Sequence, residues 1–70
     1  MLKVEVGKRL KMQRKRLNLT QQQVAKMLGI AQPVYQRFEK GIYELDYEKL
    51  IFLCKLFNVS SDYLLGISEY

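Results

Sequence analysis

Apolar residues recur along the chain with the spacing of short α-helices. In the first stretch, one face of a helix over residues 3–17 carries the set Val6, Leu10, Arg14 and Leu17. Most of the basic residues between these positions fall on the other faces. Asn18 follows and is suited to the left-handed conformation that ends many helices. The pattern predicts a first helix that packs through one side.

A second helix has the clearest start signal in the chain. Thr20 can accept a hydrogen bond from the amide of Gln23, while the Gln23 side chain reaches back to the Thr20 amide. Gly29 then provides the positive φ that a helix end favours, which predicts a helix over residues 21–28. A turn through residues 30–31 leads to a third helix that runs to about residue 40 and stops at Gly41.

Two further helices follow a loop over residues 42–45. Asp46 is an acceptable N-cap for the fourth helix, which Asn58 closes. Ser60 can cap a short last helix that Gly66 terminates. Because no alternating strand pattern competes with these segments, the expected fold class is all-α with five helices.

Residues 20–41 have the arrangement of a helix-turn-helix. Ala25 is small enough to let two helices cross closely, and five apolar side chains are expected to face inward: Val24, Leu28, Ile30, Tyr35 and Phe38. In such a unit the second helix enters the major groove of DNA and the first lies across the backbone. The alternative is an ordinary helical hairpin in a small bundle.

The charge distribution favours a polyanionic partner. The chain has 70 residues and a formal charge of +5. Residues 1–41 hold ten basic and two acidic side chains, a charge of +8, and residues 42–70 hold two basic and five acidic ones, a charge of −3. Nucleic acid fits the basic part because neutralised phosphates release counterions. A solvated charged surface is the alternative.

Length and composition exclude several classes of protein. We expect one domain over residues 1–70, since this length is near the lower limit for a core that folds alone. With Cys54 as the only cysteine and no histidine, neither an intrachain disulfide nor a zinc site is expected. No catalytic set, no phosphate loop and no run of roughly 20 apolar residues is present. We therefore expect a soluble protein that is not exported, needs no cofactor and is not an enzyme.

The run TQQQVAKMLGIAQPVYQRFEKG, followed by LFNVSSDYLLG, resembles the Xre family of bacterial and phage regulators. This family includes the Cro and repressor proteins of lambdoid phages, and the resemblance extends over residues 6–66. It implies a compact five-helix domain of the lambda-repressor type that binds double-stranded operator DNA, usually as a dimer. It also implies a cytoplasmic protein of bacterial or phage origin, associated with the nucleoid when bound.

The resemblance also implies roles for individual residues. The candidate base-reading residues are Gln32, Pro33, Gln36 and Arg37. The candidate phosphate contacts are Gln21, Lys40 and Tyr43, and plain surface exposure is the alternative for Lys40 and Tyr43. A glutamine such as Gln32 suits adenine, whereas Arg37 suits either guanine or a phosphate. Arg14 and Glu39 match a structural ion pair that joins the first helix to the end of the third.

The chain departs from the family pattern at three points, which are Ala31, Pro33 and the loop after Gly41. Ala31 replaces a hydroxyl N-cap, and Pro33 disfavours α geometry at Gln32, so the third helix is expected to begin one residue late. Ile42, Tyr43 and Glu44 replace residues that are often basic, which should weaken phosphate contacts in this loop.

Other side chains are assigned to the core. Tyr35 and Phe38 match buried positions rather than a stacking platform for single strands, with the Tyr35 hydroxyl expected to find a polar partner. Cys54 is expected to pack rather than to react.

Partner hypotheses follow from the small size of the reading surface. Base contacts from three or four side chains of one copy are too few to select one DNA sequence. We therefore expect a homodimer that binds two half-sites. The candidate dimer patch is Phe52, Leu56, Ile67 and Tyr70. The competing hypothesis is an antitoxin or antirepressor type of module that binds a protein partner. Membrane docking through the first helix is disfavoured, because its apolar stripe contains Arg14 and no aromatic residue.

Overall fold

The computed structural model describes residues 1–69, which form five α-helices and no strand. They are α1 (Leu2–Arg16), α2 (Gln21–Leu28), α3 (Gln32–Glu39), α4 (Tyr47–Phe57) and α5 (Ser61–Leu64). The all-α prediction and the predicted number of helices are confirmed. None of these helices has the length and apolar character required to cross a bilayer.

The predicted signals at both ends of α2 are present. Thr20 Oγ1 accepts a hydrogen bond from the Gln23 amide at 3.1 Å, and Gln23 Oε1 accepts one from the Thr20 amide at 2.8 Å. Gly29 ends the helix with φ of 73°. At the end of α1, Asn18 has φ of 57°, as its type predicts. Local hydrogen-bonding chemistry therefore determines where this segment begins and ends.

The start of α3 corrects one expectation. The helix begins at Gln32, with Ala31 extended at ψ of 147° as the N-cap, so the late start predicted from Pro33 is wrong. The Ala31 carbonyl accepts hydrogen bonds from the amides of Val34 and Tyr35, at 3.0 and 3.2 Å. Pro33 lies in the first turn, where its missing N–H leaves no intrahelical bond unmade.

The core draws side chains from all five helices. The largest fully buried ones are Leu10, Val24, Tyr35, Leu53, Phe57 and Leu64. Leu28, Ile30 and Cys54 are partly buried and pack against this cluster, in line with their predicted places. Leu17 is a correction, because α1 ends at Arg16 and the Leu17 side chain is 38% exposed.

Helices α1 and α3 touch backbone to backbone at Gly7. A Cβ added to Gly7 would lie 2.4 Å from the carbonyl oxygen of Glu39 and 2.6 Å from that of Phe38. Only glycine permits this crossing, because neither contact is with a flexible side chain. The crossing sets the position of α3, which carries the candidate DNA-reading residues.

Candidate nucleic-acid interface

Helix α3 presents its predicted base-reading residues on one face. Pro33 and Arg37 are exposed, and Gln32 and Gln36 are half-buried. Their spacing places all four on one side of the helix, while Tyr35 and Phe38 are buried on the opposite side. The buried side explains why this face keeps a constant orientation, since α3 cannot rotate without exposing two aromatic rings.

A chain of hydrogen bonds connects Gln32 to the interior. Gln32 Nε2 donates to Gln21 Oε1 at 2.7 Å, and Gln21 Nε2 donates to Glu39 Oε1 at 3.0 Å. These bonds fix which way both amides face. They also occupy the carbonyl and one N–H of the Gln21 side chain, which leaves its second N–H without a bond within residues 1–69. The sequence analysis identified both glutamines but not the bond between them.

Arg14 and Glu39, the predicted ion pair, are brought together in the interior. Arg14 Nε lies 2.6 Å from Glu39 Oε2 and its Nη2 lies 3.1 Å from Glu39 Oε1. The two side chains are only 10% and 3% exposed. Burial by itself would raise the pKa of Glu39, but hydrogen bonds from Arg14 and Gln21 outweigh it and hold that pKa below its usual value. The carboxylate is therefore ionised and doubly engaged, with Arg14 and with Gln21.

Tyr35 lies beside this pair in the core. Its buried hydroxyl lies beside the charged groups of Glu39 and Arg14, the polar neighbours expected from the sequence, although no well-formed hydrogen bond joins it to a partner within residues 1–69. Burial, and after it the neighbouring Glu39 carboxylate, raises the pKa of the Tyr35 phenol. The ring is fully buried and acts as packing, which agrees with its predicted core role.

Arg37 projects from the end of α3 towards the following loop. Its Nη1 is 3.4 Å from the Pro33 carbonyl oxygen, and its Cζ lies 5.7 Å from the centroid of the Tyr43 ring. Lys40, the C-cap of α3, is exposed, and Tyr43 is 44% exposed. The sequence analysis placed these three residues near DNA but did not foresee the contact between Arg37 and Tyr43.

A polar depression lies where α2 and α3 begin. Its lining residues are Arg14, Leu19, Thr20, Gln21, Gln22 and Gln32. Its lining includes the first two residues of α2, and the N-terminal end of a helix favours an anion. Across residues 1–69 no three of the His, Cys, Asp and Glu side chains cluster as a metal site. The position of the depression at the start of α2 is of the type that favours an anion.

The candidate dimer patch is only partly apolar surface. Phe52 is 40% exposed and Ile67 is 72% exposed, whereas Leu56 packs partly against the core. Tyr70, the fourth residue of the patch, lies outside the described residues. Cys54 packs against the core as predicted, and burial raises the pKa of its thiol.

The chain is similar to known transcriptional regulators. A family profile described as helix-turn-helix matches residues 10–64. The uncharacterised HTH-type transcriptional regulator YqaE of Bacillus subtilis (strain 168) is 48% identical over 56 residues, which cover 80% of this chain and 48% of that protein. The HTH-type transcriptional regulator ImmR of the same organism is 38% identical over 66 residues, covering 94% and 52%. The chain thus spans about half the length of these curated relatives.

A solved structure shares the fold. The crystal structure of the P22 c2 repressor protein in complex with synthetic operator 9T in the presence of Tl+ matches with a TM-score of 0.81 and 32% sequence identity. The match covers 90% of this chain and 96% of that one. Both the order and the packing of the helices are therefore similar to those of a repressor whose structure was solved with DNA.

Proposed function

The chain belongs to the helix-turn-helix family, and from this premise we propose that it is a transcriptional repressor that binds double-stranded operator DNA. Its α3 enters the major groove and α2 lies across the backbone. The observation that carries the proposal is the outer face of α3. Gln32, Gln36 and Arg37 lie together on this face, and the opposite side of the helix is buried in the core. The relatives are regulators rather than enzymes, in line with the sequence analysis.

Base reading falls to the polar side chains on that face. Gln32 retains one N–H and its Oε1 after bonding to Gln21, and this pair is the one that adenine N7 and N6 require. Gln36 lies one turn further along the helix and can make the same type of contact. Arg37 contacts either guanine or a phosphate, and Pro33 offers only an apolar surface beside them.

Phosphate contacts flank the reading residues. Gln21 retains one free side-chain N–H beside the first amides of α2. Lys40 is exposed at the other end of α3 and needs only its charge to hold a phosphate. The charge of +8 on residues 1–41 supports binding to a polyanion such as DNA, and seven of its ten basic side chains lie in α1.

A homodimer on two half-sites completes the proposal. One α3 offers too few base contacts for specific binding, and a second copy one helical turn away doubles them. The exposed Phe52 and Ile67 supply part of an apolar contact surface. We place the protein in the cytoplasm, bound to the nucleoid through its operator.

A protein-interaction module is the competing function. Helix α4 exposes Tyr47 and Ile51, at 84% and 55%, as well as Phe52, and such apolar surface suits a protein partner. Affinity for random duplex DNA over a salt series separates the two functions. A DNA binder loses affinity steeply as salt rises, whereas a module of this kind binds little at any salt.

Two substitutions test the assignment of α3 directly. We expect Arg37→Ala to weaken binding to the selected operator and to relax the sequence preference at one base pair. Lys40→Ala should weaken binding to all duplexes equally, and it should lower the slope of log affinity against log salt concentration by about one. Binding to an operator selected from a random duplex pool, and to its single-base variants, measures both. An equal loss on operator and random DNA for Arg37→Ala would reduce Arg37 to a phosphate contact.

A further inference from the structure

We infer that Tyr43 positions the guanidinium of Arg37 for base reading. The contact is made by the aromatic ring of Tyr43 and not by its phenol oxygen. The inference rests on the proposed function, since it assigns Arg37 to a base. It also replaces the phosphate role that the family resemblance implies for Tyr43. Three features of the structure support it.

The loop that carries Tyr43 is fixed to the end of α3. The amides of Ile42 and Tyr43 both donate to the Arg37 carbonyl oxygen, at 2.9 and 3.3 Å. Gly41 makes the necessary turn at φ of 75°, and a Cβ there would lie 2.6 Å from the Cα of Val4. The turn therefore packs closely against α1, and its hydrogen bonds hold the backbone of Tyr43 beside Arg37.

The ring of Tyr43 is itself supported. It meets the ring of Phe38 edge to face, with centroids 5.9 Å apart and an interplanar angle of 70°. Phe38 is 7% exposed and belongs to the core cluster. Such edge-to-face pairs are favourable arrangements of two aromatic rings. Tyr43 thus forms a rigid platform on the surface, built on a buried residue.

Arg37 has few other constraints. Its side chain is exposed and its one described hydrogen bond is the long one to the Pro33 carbonyl. The Arg37 Cζ lies 5.7 Å from the centroid of the Tyr43 ring, within the range of a cation–π contact. A guanidinium that stacks on a ring still presents N–H groups at its edge. Guanine O6 and N7 are bound by that edge. A stacked Arg37 therefore approaches the groove with less side-chain freedom to lose on binding.

The experiment compares a variant that keeps the ring with one that removes it. Tyr43→Phe keeps the platform and loses the hydroxyl, whereas Tyr43→Leu keeps an apolar side chain and loses the ring. Affinity is measured for the selected operator and for the duplexes changed at the base pair that Arg37→Ala identifies. Tyr47→Leu is the matched control, because Tyr47 is a more exposed tyrosine and its ring has no cation contact within residues 1–69.

We expect Tyr43→Phe to keep the discrimination of the unchanged chain at that base pair. Tyr43→Leu should lower the discrimination about two- to fivefold, the range of an exposed cation–π contact. In an Arg37→Ala background, Tyr43→Leu should leave discrimination unaltered. A uniform loss for Tyr43→Phe on every duplex would overturn the inference, because it would mark the phenol as a phosphate contact.

The contact can also be detected in the free protein. Side-chain protons of Arg37 should show an upfield ring-current shift by NMR that Tyr43→Phe keeps and Tyr43→Leu abolishes. Absence of the shift from the unchanged chain overturns the inference. If the shift is present but the unchanged chain shows no sequence preference at any salt, the proposed function fails and the positioning role fails with it.

Discussion

Removing one member of the buried ion pair should destabilise the protein severely, and removing both should not. Arg14→Met leaves the Glu39 carboxylate, 3% exposed, without its guanidinium. Breaking a buried pair in this way costs about 3–5 kcal/mol, because an uncompensated charge stays in the interior. A domain of 70 residues has a total stability of roughly 4–10 kcal/mol. The single variant should therefore lose between about a third and all of its stability at 25 °C.

The double variant Arg14→Met, Glu39→Met should recover most of this loss. Apolar side chains of similar volume fill the same space with no charge to desolvate, and such replacements are often neutral or stabilising. Some deficit should remain, since Gln21 loses the acceptor for its Nε2 and the Leu19 carbonyl loses the 2.8 Å bond from Arg14 Nη1. The two substitutions should thus be strongly non-additive.

Urea unfolding followed by circular dichroism measures these differences at pH 7 and at pH 3. Because the folded pKa of Glu39 lies below its usual value, its contribution is present above the unfolded pKa and is lost as pH falls through the folded pKa. The unchanged chain should lose this contribution on acidification, and the double variant has none to lose. Lys49→Met is the control, because it removes an exposed pair with Asp46. Additive effects, or a loss for Arg14→Met no larger than the control's, would refute the reasoning.

Two further predictions concern the crossing of α1 with α3 and the support of Gln32. Gly7→Ala should destabilise by about 1–3 kcal/mol in urea despite a gain of about 1 kcal/mol in helix propensity, since the new Cβ would lie 2.4 Å from the Glu39 carbonyl oxygen. An equal or higher stability would show that the helices separate without cost. Gln21→Met should relax preference at the base pair bound by Gln32, whereas Gln22→Met, its exposed neighbour, should not. A uniform loss for Gln21→Met on all duplexes would limit Gln21 to a phosphate contact.

The helix ends were predictable because their chemistry is local. Thr20, Gln23 and Gly29 act within a few residues of one another, and the structure places α2 within the predicted bounds. The error at α3 is also local in origin. A proline restricts the residue before it, but restriction is a preference, and the hydrogen bonds accepted by the Ala31 carbonyl outweigh it at Gln32.

The missed features of the site depend on residues far apart in the chain. In the sequence, Gly7 is only a residue of low helix propensity within α1. Its role in the close crossing with α3 is visible only in the packed structure. The contact between Arg37 and Tyr43 crosses the turn at Gly41, where helical periodicity no longer applies. Family resemblance supplied the identities of Gln21 and Gln32, but only the packing of α2 on α3 shows that their amides bond.

Glu39 connects the stability of the fold to the reading surface. Its two oxygens serve Arg14, and one of them also accepts from Gln21, which in turn accepts from Gln32. We therefore expect a substitution at Glu39 to change both the free energy of unfolding and the base preference, and one at Lys40 to change DNA affinity alone. If folding and preference respond independently to Glu39 variants that remain folded, the hydrogen-bond chain does not transmit its orientation to Gln32. That outcome would leave the ion pair as a structural feature and Gln32 to be oriented by α3 alone.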